Sequence, residues 1–161
     1  MMPANSSEYV FNLDAIIFSG LALFLMLLFH ATYMFIVSRQ YENSTDSLIA
    51  KKYFGLVPLA FYVAAFVLTI SHLIEIFIWG YVLSWAGLIS NTHQAMLFAG
   101  STYTTVGFGA NPLPLNWDLV MVVIALNGMV AFGWSISVLF GMAQVVTLAR
   151  RTSRSHLGKV Q

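Results

Sequence analysis

His93-Gln-Ala-Met-Leu-Phe-Ala-Gly-Ser-Thr-Tyr103 and the run that follows it, Thr104-Thr-Val-Gly-Phe-Gly109, decide how this chain folds. The first stretch reads as a helix of about ten residues, half of what a bilayer crossing needs. Ser90, Asn91 and Thr92 just before it are candidate N-caps. Ala110-Asn-Pro-Leu-Pro114 beyond it carries prolines that cannot continue a helix. Long apolar runs flank this region on both sides, so the short helix must dip into the membrane and return. A re-entrant loop leaves backbone groups unpaired at membrane depth, which is tolerated only where protein covers them or water reaches them. One chain offers no such shelter; several copies around a shared axis do.

The composition agrees. Of 161 residues, 59% are hydrophobic and 8% charged, and there is no cysteine. A soluble domain carries roughly a quarter charged residues, so this is an integral membrane protein. The missing cysteines exclude disulfides, thiolate metal sites and cysteine nucleophiles. Ala15 to Val37, Phe54 to Trp85 and Trp117 to Leu148 are each long enough to span. Basic residues occur only at Arg39, Lys51 and Lys52 and again at Arg150, Arg151, Arg154 and Lys159. Short basic loops stay cytoplasmic, which places the N-terminus outside and the C-terminus inside a multi-pass cell-membrane protein. The expected division is an outer N-terminal segment over 1–14, a first span over 15–37, a cytoplasmic loop over 38–53, an outer helix over 54–85, a short helix over 92–103, a loop over 104–109, an inner helix over 117–148 and a basic tail over 149–161. Pro58 either bends the second span or marks its start. The tail arginines suit anionic lipid or serve only as topology signals, and no nucleic-acid partner is expected. The triplets at Asn5 and Asn43 match the glycosylation pattern by chance, since the latter is expected inside.

Thr102-Tyr-Thr-Thr-Val-Gly-Phe-Gly109 resembles the selectivity-filter signature of tetrameric potassium channels, set between an outer and an inner helix as in that family. The resemblance covers about residues 60 to 146 and leaves the first helix as an addition. It implies that Thr105, Val106, Gly107, Phe108 and Gly109 form the filter, with K+ held at Thr105, Val106, Gly107 and Phe108, and that Ser101, Thr102, Tyr103 and Thr104 support it. Physical chemistry points the same way. Backbone carbonyls from four loops can replace the water shell of a dehydrated potassium ion. Gly107 and Gly109 reach positive φ without steric cost, so that successive carbonyls can face the axis while Val106 and Phe108 turn outward to pack the loop. The short helix aims its negative C-terminal end at the path of a cation. A mere turn in a membrane protein is the plainer reading of the pentapeptide, and the half-length helix before it weighs against that.

The resemblance extends to Gly128 and Gly133, which take the places of inner-helix hinge glycines; close helix packing is the competing explanation. With a hinge there, Met129, Phe132, Ile136 and Phe140 recur at helical spacing and line an inner vestibule able to gate by dewetting, unless the stripe faces lipid. Three departures from the family pattern stand out. Phe108 replaces the commoner tyrosine. Leu97 and Phe98 stand where tryptophans often tie the filter back, so apolar packing rather than hydrogen bonding should support this one. Ala110 replaces an aspartate, and Ser101 a glutamate that some members carry.

Glu75 is the one carboxylate far from any expected helix end, with His72 on the same helical face. A charge in hydrocarbon is a functional candidate by default. Glu75 is expected to hydrogen-bond Ser101, Thr102, Tyr103 or His93 behind the filter, with His72 tuning it; a plain Glu75–His72 bond is the alternative. A metal reading of the pair is weak, because the spans offer no further carboxylate. His30, alone on the first span, is expected to pack or hydrogen-bond to a neighbour. No regular arginine series encodes voltage sensing, no membrane lysine exists for a Schiff base, and no nucleophile, base and orienter set can be assembled. The expectation is therefore an all-helical homotetramer with three spans and a re-entrant loop per chain, conducting potassium passively without a cofactor. A weakly selective cation pore and a non-conducting, partner-binding scaffold are the alternatives.

Overall fold

The computed structural model describes residues 12–157. The expected N-terminal segment up to residue 11, with the Asn5 triplet, and the tail beyond Leu157, with Lys159, lie outside the described residues, as does the Arg154 side chain. Among the described residues every regular element is helical: α1 (Leu13–Ala50), a short 3-10 turn (Phe54–Leu56), α2 (Val57–Trp85), α3 (Thr92–Tyr103) and α4 (Asp118–Leu157). The helices α1, α2 and α4 are long and apolar enough to cross a membrane.

Local chemistry sets the boundaries. The Asn12 side chain caps α1 by accepting from the amide of Ala15 at 3.2 Å. Pro58 sits in the first turn of α2, where its missing N–H costs nothing, so it starts that helix and does not bend it. Asn91 caps α3, accepting from the Gln94 amide at 3.0 Å.

Two expected boundaries are corrected. The loop expected over 38–53 is helical as far as Ala50. No glycine or proline interrupts it, and its buried stripe runs on through Val37, Tyr41 and Thr45. The Tyr41 hydroxyl donates to the Met142 carbonyl at 2.9 Å, tying this extension to α4. Likewise α4 does not stop at Leu148 but continues to Leu157, the residue before Gly158. At 38 and 40 residues, α1 and α4 are about 57 and 60 Å long at 1.5 Å per residue, well beyond a hydrocarbon core of roughly 30 Å.

One core centres on α3, which packs among Trp79, Leu83, Val120 and Ile124. A second joins Met34 and Tyr41 to Leu68 and Met142, and a third closes the opposite end with Val57, Val146 and Ala149. The Lys51–Lys52 turn and Arg150 lie at that opposite end, where Phe54, Pro58 and Arg150 border one cavity. The outward faces of the long helices expose Ile17, Phe24, Phe66, Phe77, Ile136 and Phe140. Water does not tolerate such a continuous apolar surface on a monomer; lipid or other copies cover it.

Candidate functional site

The site lies where α3 ends. Close approaches fix that helix: a Cβ added to Gly80 would come within 2.7 Å of the Met96 Cα, so α2 and α3 touch backbone to backbone. A Cβ on Gly128 would overlap the carbonyl oxygen of Tyr103, with that residue's carbonyl carbon at 2.8 Å. Of the two readings of Gly128, close packing is therefore the one the structure supports: α4 seats the last turn of α3 against a missing side chain. Gly133 has open space around it, and α4 runs through both glycines without interruption.

Below α3 lies a buried polar cluster. Glu75, fully buried on α2, accepts one hydrogen bond from each of the other three helices. His30 Nδ1 on α1 reaches Oε1 at 2.6 Å, while the Tyr103 hydroxyl on α3 reaches Oε2 at 3.0 Å and Asn127 Nδ2 on α4 reaches it at 3.1 Å. Trp79 Nε1 donates to the Asn127 carbonyl oxygen at 3.0 Å and so fixes which way that amide faces. His72 Nδ1 meets the Tyr103 hydroxyl at 3.0 Å. Because that hydroxyl gives its only proton to Glu75, His72 is the donor. A buried carboxylate is tolerable only when so surrounded. Of the partners expected for Glu75, the structure selects Tyr103, and the direct Glu75–His72 bond is replaced by one through the Tyr103 hydroxyl. The expectation that apolar packing dominates the support is corrected, because hydrogen bonds from four helices converge beneath residues 104–109.

His30, His72 and Glu75 offer ligand atoms within 4.8 Å of one another, a spacing a metal ion could bridge. Both Nδ1 atoms and both carboxylate oxygens already hydrogen-bond within the chain, and His30 Nε2 has no hydrogen-bond partner among the described residues. The Phe132 ring lies against His72 with centroids 4.3 Å apart and planes tilted by 31°. Phe132 and Ile136 line a cavity of about 270 Å³ together with His72 and Thr104. Met129 and Phe140 lie exposed elsewhere on α4.

Above Tyr103 the surroundings change. Thr104 caps α3, and Thr105 follows with φ +60°, donating its amide to the Thr102 carbonyl at 2.9 Å. This is a left-handed helix stop, a place glycine normally fills; a β-branched residue there is strained. Gly107 (φ +69°) and Gly109 (φ +89°) are left-handed as well, whereas Val106 and Phe108 are not. The backbone therefore changes hand at every residue from 105 to 109. Among the described residues the carbonyls of Thr105, Val106 and Gly107 accept no hydrogen bond. The Gly107 amide is held by the Ser101 carbonyl at 3.0 Å.

Two expectations for this segment fail within the single chain. Val106 and Phe108 do not pack against their own support: they are 67% and 57% exposed, because none of the described residues covers them. Nor does Phe108 offer a free oxygen, since its carbonyl accepts the Ser101 hydroxyl at 3.2 Å. Ser101 thus ties the loop to α3 from the place where some relatives in the resemblance carry a carboxylate. The far end of the loop is pinned by Asn111, whose amide donates to Asp118 at 2.7 Å in the first turn of α4.

A family model described as ion channel matches residues 64–145, half of the chain, from α2 through α3 and the loop after it into α4. The chain belongs to the two-helix pore-loop ion-channel family. No curated protein and no solved structure matches it. The family match leaves α1 of this channel outside, although the structure makes α1 a contributor to the Glu75 cluster. Sequence reading gives His30 a hydrogen-bonding or packing neighbour without naming Glu75, and misses Asn127. The signal was present in both: each is a lone polar residue deep in an apolar span, which in a membrane points to a partner.

Proposed function

We propose that this ion channel is selective for potassium and works as a homotetramer, with the segments 104–109 of four chains facing one axis. The observation that carries the proposal is the run of carbonyls at Thr105, Val106 and Gly107 without hydrogen-bond partners among the described residues, in a backbone that changes hand at each residue. Free peptide oxygens at membrane depth are costly, and rings of them suit a dehydrated cation. Strain at Thr105 is consistent with this, since sparsely populated backbone is retained where function requires it. Other copies would also cover the exposed Val106 and Phe108 side chains. The basic Lys51–Lys52 turn and the Arg150–Arg151 pair lie at the end away from the filter, which favours that end as cytoplasmic and in contact with anionic lipid.

The Phe108 carbonyl favours a second reading. While it is engaged with Ser101, the free ladder is one oxygen short on each chain, and a shorter ladder discriminates less between cations. Bi-ionic reversal potentials in reconstituted bilayers separate the two readings. A clear preference for potassium over sodium supports the first, and near-equal permeability the second. Substitution Ser101→Ala releases the Phe108 oxygen, and a rise in the potassium preference on that change would identify this bond as the cause of weak selectivity. A tetramer without flux at any voltage would overturn both.

A further inference from the structure

We infer that His30 on α1 is a positioning residue for the filter, so that the first helix is part of the conducting machinery and more than a membrane anchor. The inference rests on the proposed potassium selectivity and assigns a role to the helix outside the family match.

An anchor helix needs only apolar groups on its buried face, and the neighbours of His30 on that face are apolar: Met26 one turn before and Met34 one turn after. His30 interrupts them with no exposed surface. Among the described residues its ring makes one hydrogen bond, Nδ1 to Glu75 at 2.6 Å, and its Nε2 is buried without a hydrogen-bond partner. An unpaired buried nitrogen is unfavourable, so packing alone gives no reason for a histidine here. The bond to Glu75 does.

That bond reaches the filter in two links. Glu75 Oε1 is held by His30 and Oε2 by Tyr103 and Asn127, so His30 fixes the rotation of the carboxylate and with it the point to which the Tyr103 hydroxyl is drawn. Tyr103 is the last residue of α3. Its carbonyl is wedged against Gly128, and Thr105, the first strained residue of the filter segment, lies two positions on. Releasing one corner of the carboxylate frees the tyrosine to turn, which shifts the carbonyls just after it. Coupling of this kind requires evidence from paired substitutions.

The experiment uses the full-length channel, purified and reconstituted, in three forms. His30→Phe keeps a ring but no donor. His30→Asn keeps a donor at the same branch as Nδ1 in a smaller side chain. Glu75→Gln alters the acceptor. Two quantities are read in each: the potassium-to-sodium permeability ratio, and amide exchange across Ser101–Gly107. The expected result for His30→Phe is a fall in the ratio and roughly tenfold faster exchange, the size of losing a hydrogen bond to a charged acceptor. His30→Asn should restore most of both, and His30→Phe added to Glu75→Gln should change neither further, as for residues acting through one contact.

If His30→Phe lowers only thermal stability while the ratio and the exchange at Ser101–Gly107 stay unchanged, the inference is overturned and α1 is an anchor. If His30→Phe fails to assemble, the decision passes to His30→Gln, whose amide is one carbon farther out and so misplaced for Glu75: unaltered ratio and exchange there overturn the inference as well. Wild-type channel without potassium preference overturns the underlying reading instead, and the exchange measurement still decides the role of His30.

Discussion

Tyr103 and Thr105 are two residues apart and sit in opposite surroundings. Tyr103 has no exposed surface; its hydroxyl bonds Glu75 and His72, and its carbonyl rests on Gly128. From Thr105 onward the chain stands exposed and left-handed at alternate residues, with free carbonyls at its start. The difference teaches where the single chain is complete and where it is not. The cluster beneath α3 draws donors from all four helices onto Glu75 and its partners, whereas the carbonyls of Thr105, Val106 and Gly107 find no partner among the described residues. Substitutions in the cluster should therefore reduce the stability of the chain, and substitutions in the segment should alter conduction while the chain stays folded.

The largest effect is expected for Glu75→Leu, which leaves three buried donors without an acceptor. Loss of a partner in a buried charged network costs on the order of 3–5 kcal/mol, read as a large fall in melting temperature in detergent; an unchanged melting curve would break the comparison at its buried side. Next comes Gly128→Ala, whose methyl group meets the Tyr103 carbonyl and forces apart α3 and α4. Overpacking of this kind costs about 1–3 kcal/mol; a gain in stability, as an ordinary helical Gly→Ala change gives, would show that the contact yields easily. Gly107→Ala tests the other side. At φ +69° an L side chain is strained by about 1–2 kcal/mol, but open space surrounds the added methyl. Ion flux in liposomes should be lost while helix content stays the same, and intact flux would remove the segment from the conduction path. The smallest effect belongs to Gly133→Ala, where a Cβ meets nothing within 4 Å and helix propensity favours alanine by up to about 1 kcal/mol. A slight rise in melting temperature is expected; a clear fall instead would show that another copy packs against Gly133 in the assembly.

Much of this was readable in the residues. The half-length helix, the glycine-bearing run after it and the three long apolar stretches specify a re-entrant fold, because backbone in lipid has few other options. Pattern also brought out Glu75, since a carboxylate in an apolar span is rare. It failed at the helix ends, where α1 and α4 run past their hydrophobic stretches. Charge there looks like the end of a helix, yet charged residues continue a helix well when nothing breaks it and a buried stripe such as Tyr41 and Thr45 holds it down. It found Tyr103 as a partner of Glu75 but not the other two, which lie 45 and 52 positions away at His30 and Asn127.

The sequence alone determined that the chain lives in a membrane, that it crosses three times and that one segment turns back, since each follows from local hydrophobicity and the length of a helix. Tertiary structure alone decided that Glu75 gathers a donor from every other helix, that Gly128 is a contact surface for Tyr103, and that Ser101 takes the Phe108 carbonyl. Hydrogen bonds and close contacts depend on how helices rotate and slide against one another, and residue order fixes which groups exist without fixing which of them meet.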